Sequence, residues 1–423
     1  MPVRRNVASH RNLVAPPPPT TWALAVALAL TTTLALVGCT IGSDDETQVR
    51  ELVIASDLSR KDPFVGKRAA AIDAGARAVI ESRGARAGIF KVRYVESDFP
   101  VFDTQEACEA HGTTFASNKR LVAVIGPQST ACARFLVPAL NRAGIALVSP
   151  TEDAPGLTHE LPGHSPDTCF ECSPTEFYPT GVRNYARAIP AVDSEGRAAA
   201  QLLAELGARR VFVLSLEGDV FSGEWIRLAF SAEARKRRLR VVRRDTYFSD
   251  STSFTPEARR VLRSGADALL FLGPTRSAGA RVLRAVRRAG FEGVIVSSLS
   301  VTDASVFRAA GRSLEGVYFT SNKPSLAALS SQARRFVQSI GADEQPTEAL
   351  LGAEAAEILL DAIAASDGTR PGVREALFKV NRDGLLGRYS FDANGDVQPQ
   401  RVAIFRARGD AFAYDRTISL SGG

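Results

Sequence analysis

Cys169 and Cys172 stand three residues apart in the turn-rich segment SPDTCFECSPTEFYP. That spacing suits a disulfide, a redox pair or half of a zinc site. A zinc site needs two further ligands, and neither a second CxxC nor a histidine pair is present. The four histidines, His10, His111, His159 and His164, show no metal-ligand spacing. A redox pair belongs at a helix start beside a strand, and this loop shows neither. Disulfides remain, and Cys108 and Cys132 are the other candidates. Four cysteines allow three pairings, of which Cys108–Cys132 with Cys169–Cys172 is the one favoured here. Other reactive constellations are missing. There is no GxSxG, no HExxH, no P-loop, and no paired carboxylates beside a histidine at a strand end. GPQSTA lacks the glycine fingerprint of a dinucleotide site. Ser129, as a nucleophile, would need a base that the sequence does not nominate. These absences argue against an enzyme and call for no cofactor or metal. What remains is a set of short polar loops, GPQST, SPTED, EGDVFSG, GPTRS and SSLSVTD, each after an apolar run. Such loops can grip a small polar solute.

The fifth cysteine, Cys39, sets the compartment. Arg4, Arg5 and Arg11 precede an apolar run from Trp22 to Val37, without any acidic residue before it. As a helix those 16 residues would span roughly 24 Å, short of the ~30 Å hydrocarbon core. A basic head, a short apolar core and small residues read as a secretory signal. Leu36-Val37-Gly38-Cys39 resembles a bacterial lipobox, which implies cleavage before Cys39 and lipid on its thiol. Residues 1–38 are then the signal and residues 39–49 a polar tether. An uncleaved anchor helix is the other reading. Either way the rest of the chain lies outside the cytoplasm at a membrane, where an even number of remaining cysteines invites disulfides.

The formal charge is +6, and loss of Arg4, Arg5 and Arg11 lowers it to +3. That balance argues against a nucleic-acid partner, which needs a concentrated basic face. The densest basic run, Arg235-Lys236-Arg237-Arg238 with Arg240, Arg243 and Arg244, reads as a solvated helix end before a strand, or else as a docking or anionic-membrane contact.

Elements that would position the polar loops alternate regularly. ELVIAS, FKVRYVESD, LVAVIGP and IALVSP read as strands, separated by helices over 63–83, 104–117 and 130–143. After a loop-like stretch at 151–185 the rhythm resumes. RRVFVLS, LRVVRRDTY, ALLFLGP, GVIVSS and GVYFTSN are strands, with helices over 195–206, 224–237, 255–264 and 278–288. Helices over 330–340 and 350–365 follow. GRYSFDANGDV and VAIFRARG read as a hairpin or paired strands with a tight turn at Asn394-Gly395. Short, wholly apolar strands alternating with helices indicate parallel sheets covered on both faces. The fold class is α/β with two lobes of similar build. Ligands bind at the carboxyl ends of such strands, so two sheets facing each other would enclose a cleft, with a hinge between them.

The segments GPQSTACARFLVPALNRAGIALVSP, APGLT, SEGRAAAQLLAELGARRVFVLSLEGDVFSGE, FTPEARRVLRSGADALLFLG, GRSLEGVYFT and FDANGDVQPQ together resemble the type I periplasmic solute-binding proteins. Within these, the resemblance is to the leucine/isoleucine/valine-binding lipoproteins. It runs from about Leu52 to Tyr414. It implies a periplasmic-binding-protein type I fold with three crossovers. Lobe 1 would hold 50–187 plus 321–392, and lobe 2 would hold 188–320 plus 393–423. It also implies capture of a small, amino-acid-like solute for ABC transporter permease subunits, with the membrane held through Cys39. The site residues it implies are Ser129 and Thr130 for a carboxylate, and Thr151 and Asp153 for an ammonium. Phe221 matches the family's cleft tyrosine, and Leu299 matches the acid that clamps the ammonium from lobe 2. Both are departures. Arg276 lies near another contact position and reads as an anion grip or a surface arginine. Those losses keep open a sensing or non-transport lipoprotein on the same fold.

Overall fold

In a computed structural model of the chain, residues 49–97, 104–161, 174–219, 222–273, 278–299 and 305–420 are described. All of them belong to one compact unit, Val49–Gly423, which carries its own sheets and cores.

The first lobe is built from β1 (Glu51–Ser56), α1 (Gly66–Ser82), β2 (Arg86–Ala87), β3 (Phe90–Val95), α2 (Gln105–Ser117), β4 (Leu121–Ile125), α3 (Thr130–Arg142), β5 (Ala146–Ser149) and β6 (Tyr185–Arg187). Its six strands lie in the order β2-β3-β1-β4-β5-β6, parallel except for the short β2. Every residue of β4 and β5 is buried. That explains the absence of alternation, since helices cover both faces. Burial of a Val, Leu or Ile side chain contributes roughly 1.5–3 kcal/mol, so these runs anchor the sheet.

The second lobe repeats the plan. It takes α4 (Asp193–Glu205), β7 (Arg210–Leu216), α5 (Ser222–Lys236), β8 (Arg240–Tyr247), α6 (Thr255–Arg263), β9 (Ala268–Leu272), α7 (Ala280–Arg288), β10 (Val294–Ser298), α8 (Ser305–Ala310) and β11 (Tyr318–Ser321). The chain then returns to the first lobe with α9 (Ser331–Ser339), α10 (Pro346–Ala364) and α11 (Arg370–Leu377). There α10 packs on α1, and α11 on β4 and β5. It crosses once more through β12 (Asn381–Gly384), β13 (Gly387–Phe391) and β14 (Val397–Gln398), a small antiparallel sheet. The last strands, β15 (Gln400–Arg408) and β16 (Ala411–Leu420), join the second sheet. Its order is β16-β15-β11-β10-β9-β7-β8, and the two last strands are antiparallel.

One local expectation is corrected. GRYSFDANGDV does not pair with VAIFRARG. It folds on itself, with β13 against β14 and Asn394-Gly395 in the turn between them. VAIFRARG instead pairs with β11 and with β16. The reason is reach. β14 is two residues long and saturates the short hairpin, whereas β15 is nine residues and needs the ten-residue β16 as partner.

In the first sheet β1 lies between β3 and β4, and in the second β7 lies between β8 and β9. Each is a point where the strand order reverses, and the crevice at its carboxyl end is where open α/β sheets take ligands. The two crevices share a device. Gly126 opens GPQST with φ of 141° and Gly273 opens GPTRS with φ of 142°, a conformation closed to other residues. A Cβ on Gly126 would also sit 2.8 Å from that of Asp57, and one on Gly273 would strike the Tyr247 hydroxyl. Gly126 lets its loop turn away directly at the strand end.

Candidate functional site

Of the residues singled out from the sequence, Ser129, Thr130, Thr151 and Asp153 come together at the carboxyl ends of β4 and β5. Leu299 stands at the end of β10 in the second lobe. Phe221, Arg276, Cys39, Cys169 and Cys172 lie outside the described residues.

Ser129 occupies the N-cap position of α3 in an extended conformation, but its hydroxyl makes no capping bond to the first turn. The Thr130 hydroxyl donates to the Glu152 carboxylate, 2.8 and 2.9 Å from its two oxygens. Its proton is therefore held by a neighbour. The Thr151 hydroxyl donates to the Gln128 carbonyl at 3.4 Å, and the Gln128 side chain accepts from the Ser59 amide at 2.9 Å. The loops after β1, β4 and β5 are thus laced into one surface. Asp57, at the end of β1, is held by the buried His111 of α2 at 3.0 Å.

Asp153 is partly exposed at the base of this surface. Its carbonyl accepts from the Val192 amide at 2.9 Å, and its carboxylate accepts from Asn322 Nδ2 at 2.6 Å. Val192 and Asn322 belong to two of the segments that join the lobes, so Asp153 sits where they meet. Burial raises its pKa, against the pull of Asn322, Lys323 and Arg187.

Two further carboxylates lie beside it. Glu152 is buried and accepts from the Ala154 amide at 2.9 Å as well as from Thr130. Burial, and then the adjacent Asp153, push its pKa up to about 7. Glu195, in the first turn of α4, is fully buried. It accepts from the Thr320 hydroxyl at 2.6 Å and the Asn322 amide at 3.3 Å. Burial pushes it up to about 7 too, with Asp153 adding to the effect. Sequence reasoning missed Glu195. It looked for an acid at the position of Leu299, which is half-buried against the apolar core of the second lobe. A carboxylate does stand at the ends of β10 and β11, but it arrives from a helix. Three carboxylates thus lie close together, Asp153 being partly exposed, and Lys323 pairs with Glu348 at 3.1 Å. Such an arrangement stabilises a cation held over Asp153.

A second cluster ties the lobes together behind the cleft. Arg187, fully buried at the end of β6, meets Asp396 at 2.9 Å and the Ala154 carbonyl at 2.9 Å. Asp396 also faces His159 Nδ1 at 2.9 Å, while His159 Nε2 faces Asp193 at 3.4 Å. His159 therefore bridges a carboxylate of the last crossing and one at the start of α4. Burial opposes its charge, but hydrogen bonds to the two carboxylates win and raise its pKa to about 9. Asp396 is lowered to about 2: burial is the largest effect and raises it, but the Arg187 and His159 charges and bonds overcome that.

Cys108 and Cys132 form a disulfide between α2 and α3, with their Cα atoms 5.4 Å apart. Among the described residues no group of His, Cys, Asp and Glu is arranged to hold a metal ion, and no helix is long and apolar enough to cross a membrane.

The geometry has counterparts. A sequence profile described as periplasmic binding protein matches residues 64–411. No curated protein matches the chain in sequence. Among solved structures, a putative branched-chain amino acid ABC transporter from Rhodospirillum rubrum is similar, at 19% identity and a TM-score of 0.69, over 87% of this chain and 100% of that one. A leucine-binding protein from Thermotoga maritima covers 88% of this chain and 98% of its own at 20% identity and a TM-score of 0.62. A solute-binding protein of an ABC transporter from Rhodopseudomonas palustris, in complex with p-hydroxybenzoic acid, covers 88% and 97% at 16% identity and a TM-score of 0.64. With two α/β sheets whose strand order reverses, and a family profile spanning most of its length, the chain belongs to the periplasmic binding protein family.

Proposed function

We propose that the chain is the extracytoplasmic solute-capturing component of an ABC importer, closing its lobes on a small amino-acid-like solute. The observation that carries this is the carboxylate group at the cleft base, Asp153 backed by Glu152 and Glu195 and joined to the second lobe through Asn322. An ammonium placed over Asp153 would relieve the repulsion among those acids. The ligand's carboxylate would turn to Ser129 and the amides that open α3. Leu299, and Phe221 in the same lobe, supply the apolar wall, and Arg276 is the candidate for an anionic end. The lobes of this reading are 50–187 with 321–392, and 188–320 with 393–423. A lipid on Cys39 would hold the protein at the membrane beside the permease.

Leu299 also suits a second reading, an aromatic or aliphatic carboxylate without an ammonium. The acids at the base disfavour it, because a second anion there is repelled. A thermal-shift screen over amino acids, amides, short peptides and carboxylates, followed by calorimetry of Asp153→Asn, separates the two. The amino-acid reading predicts a loss of at least about tenfold in affinity, or about 1.4 kcal/mol. Unchanged or tighter binding in that variant contradicts it.

A further inference from the structure

In the second lobe, α6 and α7 enclose a groove of about 600 Å³. Four arginines line it, Arg259 from α6 and Arg281, Arg284 and Arg288 from α7, and no acidic residue does. Residues 281, 284 and 288 are spaced to share one face of the helix. Arg281 donates to the Ser249 carbonyl at 3.5 Å, and its guanidinium lies over the Phe254 ring, 5.1 Å from the ring centre. None of the four has an ion-pair partner among the described residues. The Nε of Arg284 is buried without any hydrogen-bond partner. Two acids of β8 and α6 are already engaged, Asp245 with Arg243 and Arg260, and Glu257 with Arg260. By contrast, the basic run noticed in the sequence is partly neutralised, since Lys236 and Arg237 pair with Glu233 and Arg243 with Asp245.

Apolar side chains border the same groove. Leu262, in its lining, is 45% exposed; Phe248, which does not line the groove but lies on the loop leading into α6, is 58% exposed. Thr252 and Thr255 add hydroxyls at one end, with the Ser253 hydroxyl donating to that of Thr255 at 3.1 Å. Unpaired guanidinium groups match phosphate oxygens in charge and in fork geometry. Exposed leucine and aromatic side chains beside basic residues suit the boundary between headgroups and acyl chains. A soluble phosphate compound would leave Phe248 and Leu262 in water; a membrane would cover them.

We propose that the α6/α7 groove is a contact for the phosphate groups of an anionic phospholipid surface, with Leu262 and Phe248 entering its interface. The contact would orient the second lobe against the membrane, whatever solute the cleft takes. The test uses the compact unit Val49–Gly423, so that the apolar run and any lipid on Cys39 are absent, with phosphatidylglycerol and phosphatidylcholine vesicles in a sedimentation assay at low salt. Binding should require phosphatidylglycerol, weaken as salt rises, and fall at least about tenfold in the Arg259→Gln/Arg288→Gln double variant. Leu262→Ser should weaken it separately. Thermal unfolding of the variants confirms that they fold. Equal binding to phosphatidylcholine, absence of binding to either vesicle, or undiminished binding by the arginine variant would overturn the proposal. So would binding of inorganic pyrophosphate, or of polyglutamate, without binding of vesicles; those outcomes point to a soluble phosphate or to an acidic protein partner.

Discussion

Replacing His159 by glutamine cuts the titrating link between the last crossing and the start of α4. In the folded chain the imidazolium is held between Asp396 and Asp193, and its pKa rises from 6.5 to about 9. The sign follows from that direction. A base whose folded pKa exceeds its unfolded value contributes stability that is complete below about pH 6.5 and is lost as pH rises through about 9. The gap corresponds to roughly 3 kcal/mol. The ring is a quarter exposed, and solvent screens part of this, so about 2–3 kcal/mol is expected. The lowered pKa of Asp396 reports the same contacts from the other side and is not added. Urea unfolding of wild type and His159→Gln at pH 6 and pH 9.5 measures it. Wild type should be the more stable at pH 6 by that amount, and the two should converge at pH 9.5. Glu152, Glu195 and Glu354, with folded values near 7, also cost stability as pH rises, but equally in both proteins. Parallel curves for the two proteins over this range would refute the clamp.

Removing the disulfide through Cys108→Ser with Cys132→Ser should cost about 3 kcal/mol, the loop-closure contribution of a sequence separation of 24, seen as a lower urea midpoint under oxidising conditions only. Binding of a cationic solute should tighten by up to about tenfold from pH 6 to pH 8, because it favours the ionised forms of Glu152 and Glu195. Calorimetry in buffers of different ionisation enthalpy should detect proton release on binding at pH 6, and an absence of release argues that neither acid senses the ligand. Cys39→Ser should release the protein from membranes in cells; mass spectrometry of an unmodified Cys39 in membrane-bound protein would count against lipidation.

The parallel strands were legible because burial on both faces leaves no alternative to continuous apolar runs, as in LVAVI of β4 and ALLFL of β9. β16 was not, because its edge position leaves most of AFAYDRTISL partly exposed, with charges inside it. α11 escaped notice through its brevity, although Thr369 caps it and Pro371 stands in its first turn. Asp153 was reached through a resemblance. Glu195 was not, because a glutamate in the first turn of a helix looks like any solvated one; its burial depends on Thr320 and Asn322, more than 120 residues away in sequence. The α6/α7 groove was equally hidden, since its arginines are scattered over two helices while the conspicuous run at 235–238 is partly neutralised.

The most direct measurement is a crystal structure of the chain saturated with a solute identified by screening. The account predicts that the solute lies between the lobes, with a cationic group within hydrogen-bonding distance of the Asp153 carboxylate and with residues of both lobes in contact. A solute bound outside the cleft, or one in the cleft whose only charged group is an anion resting against Asp153, would contradict it.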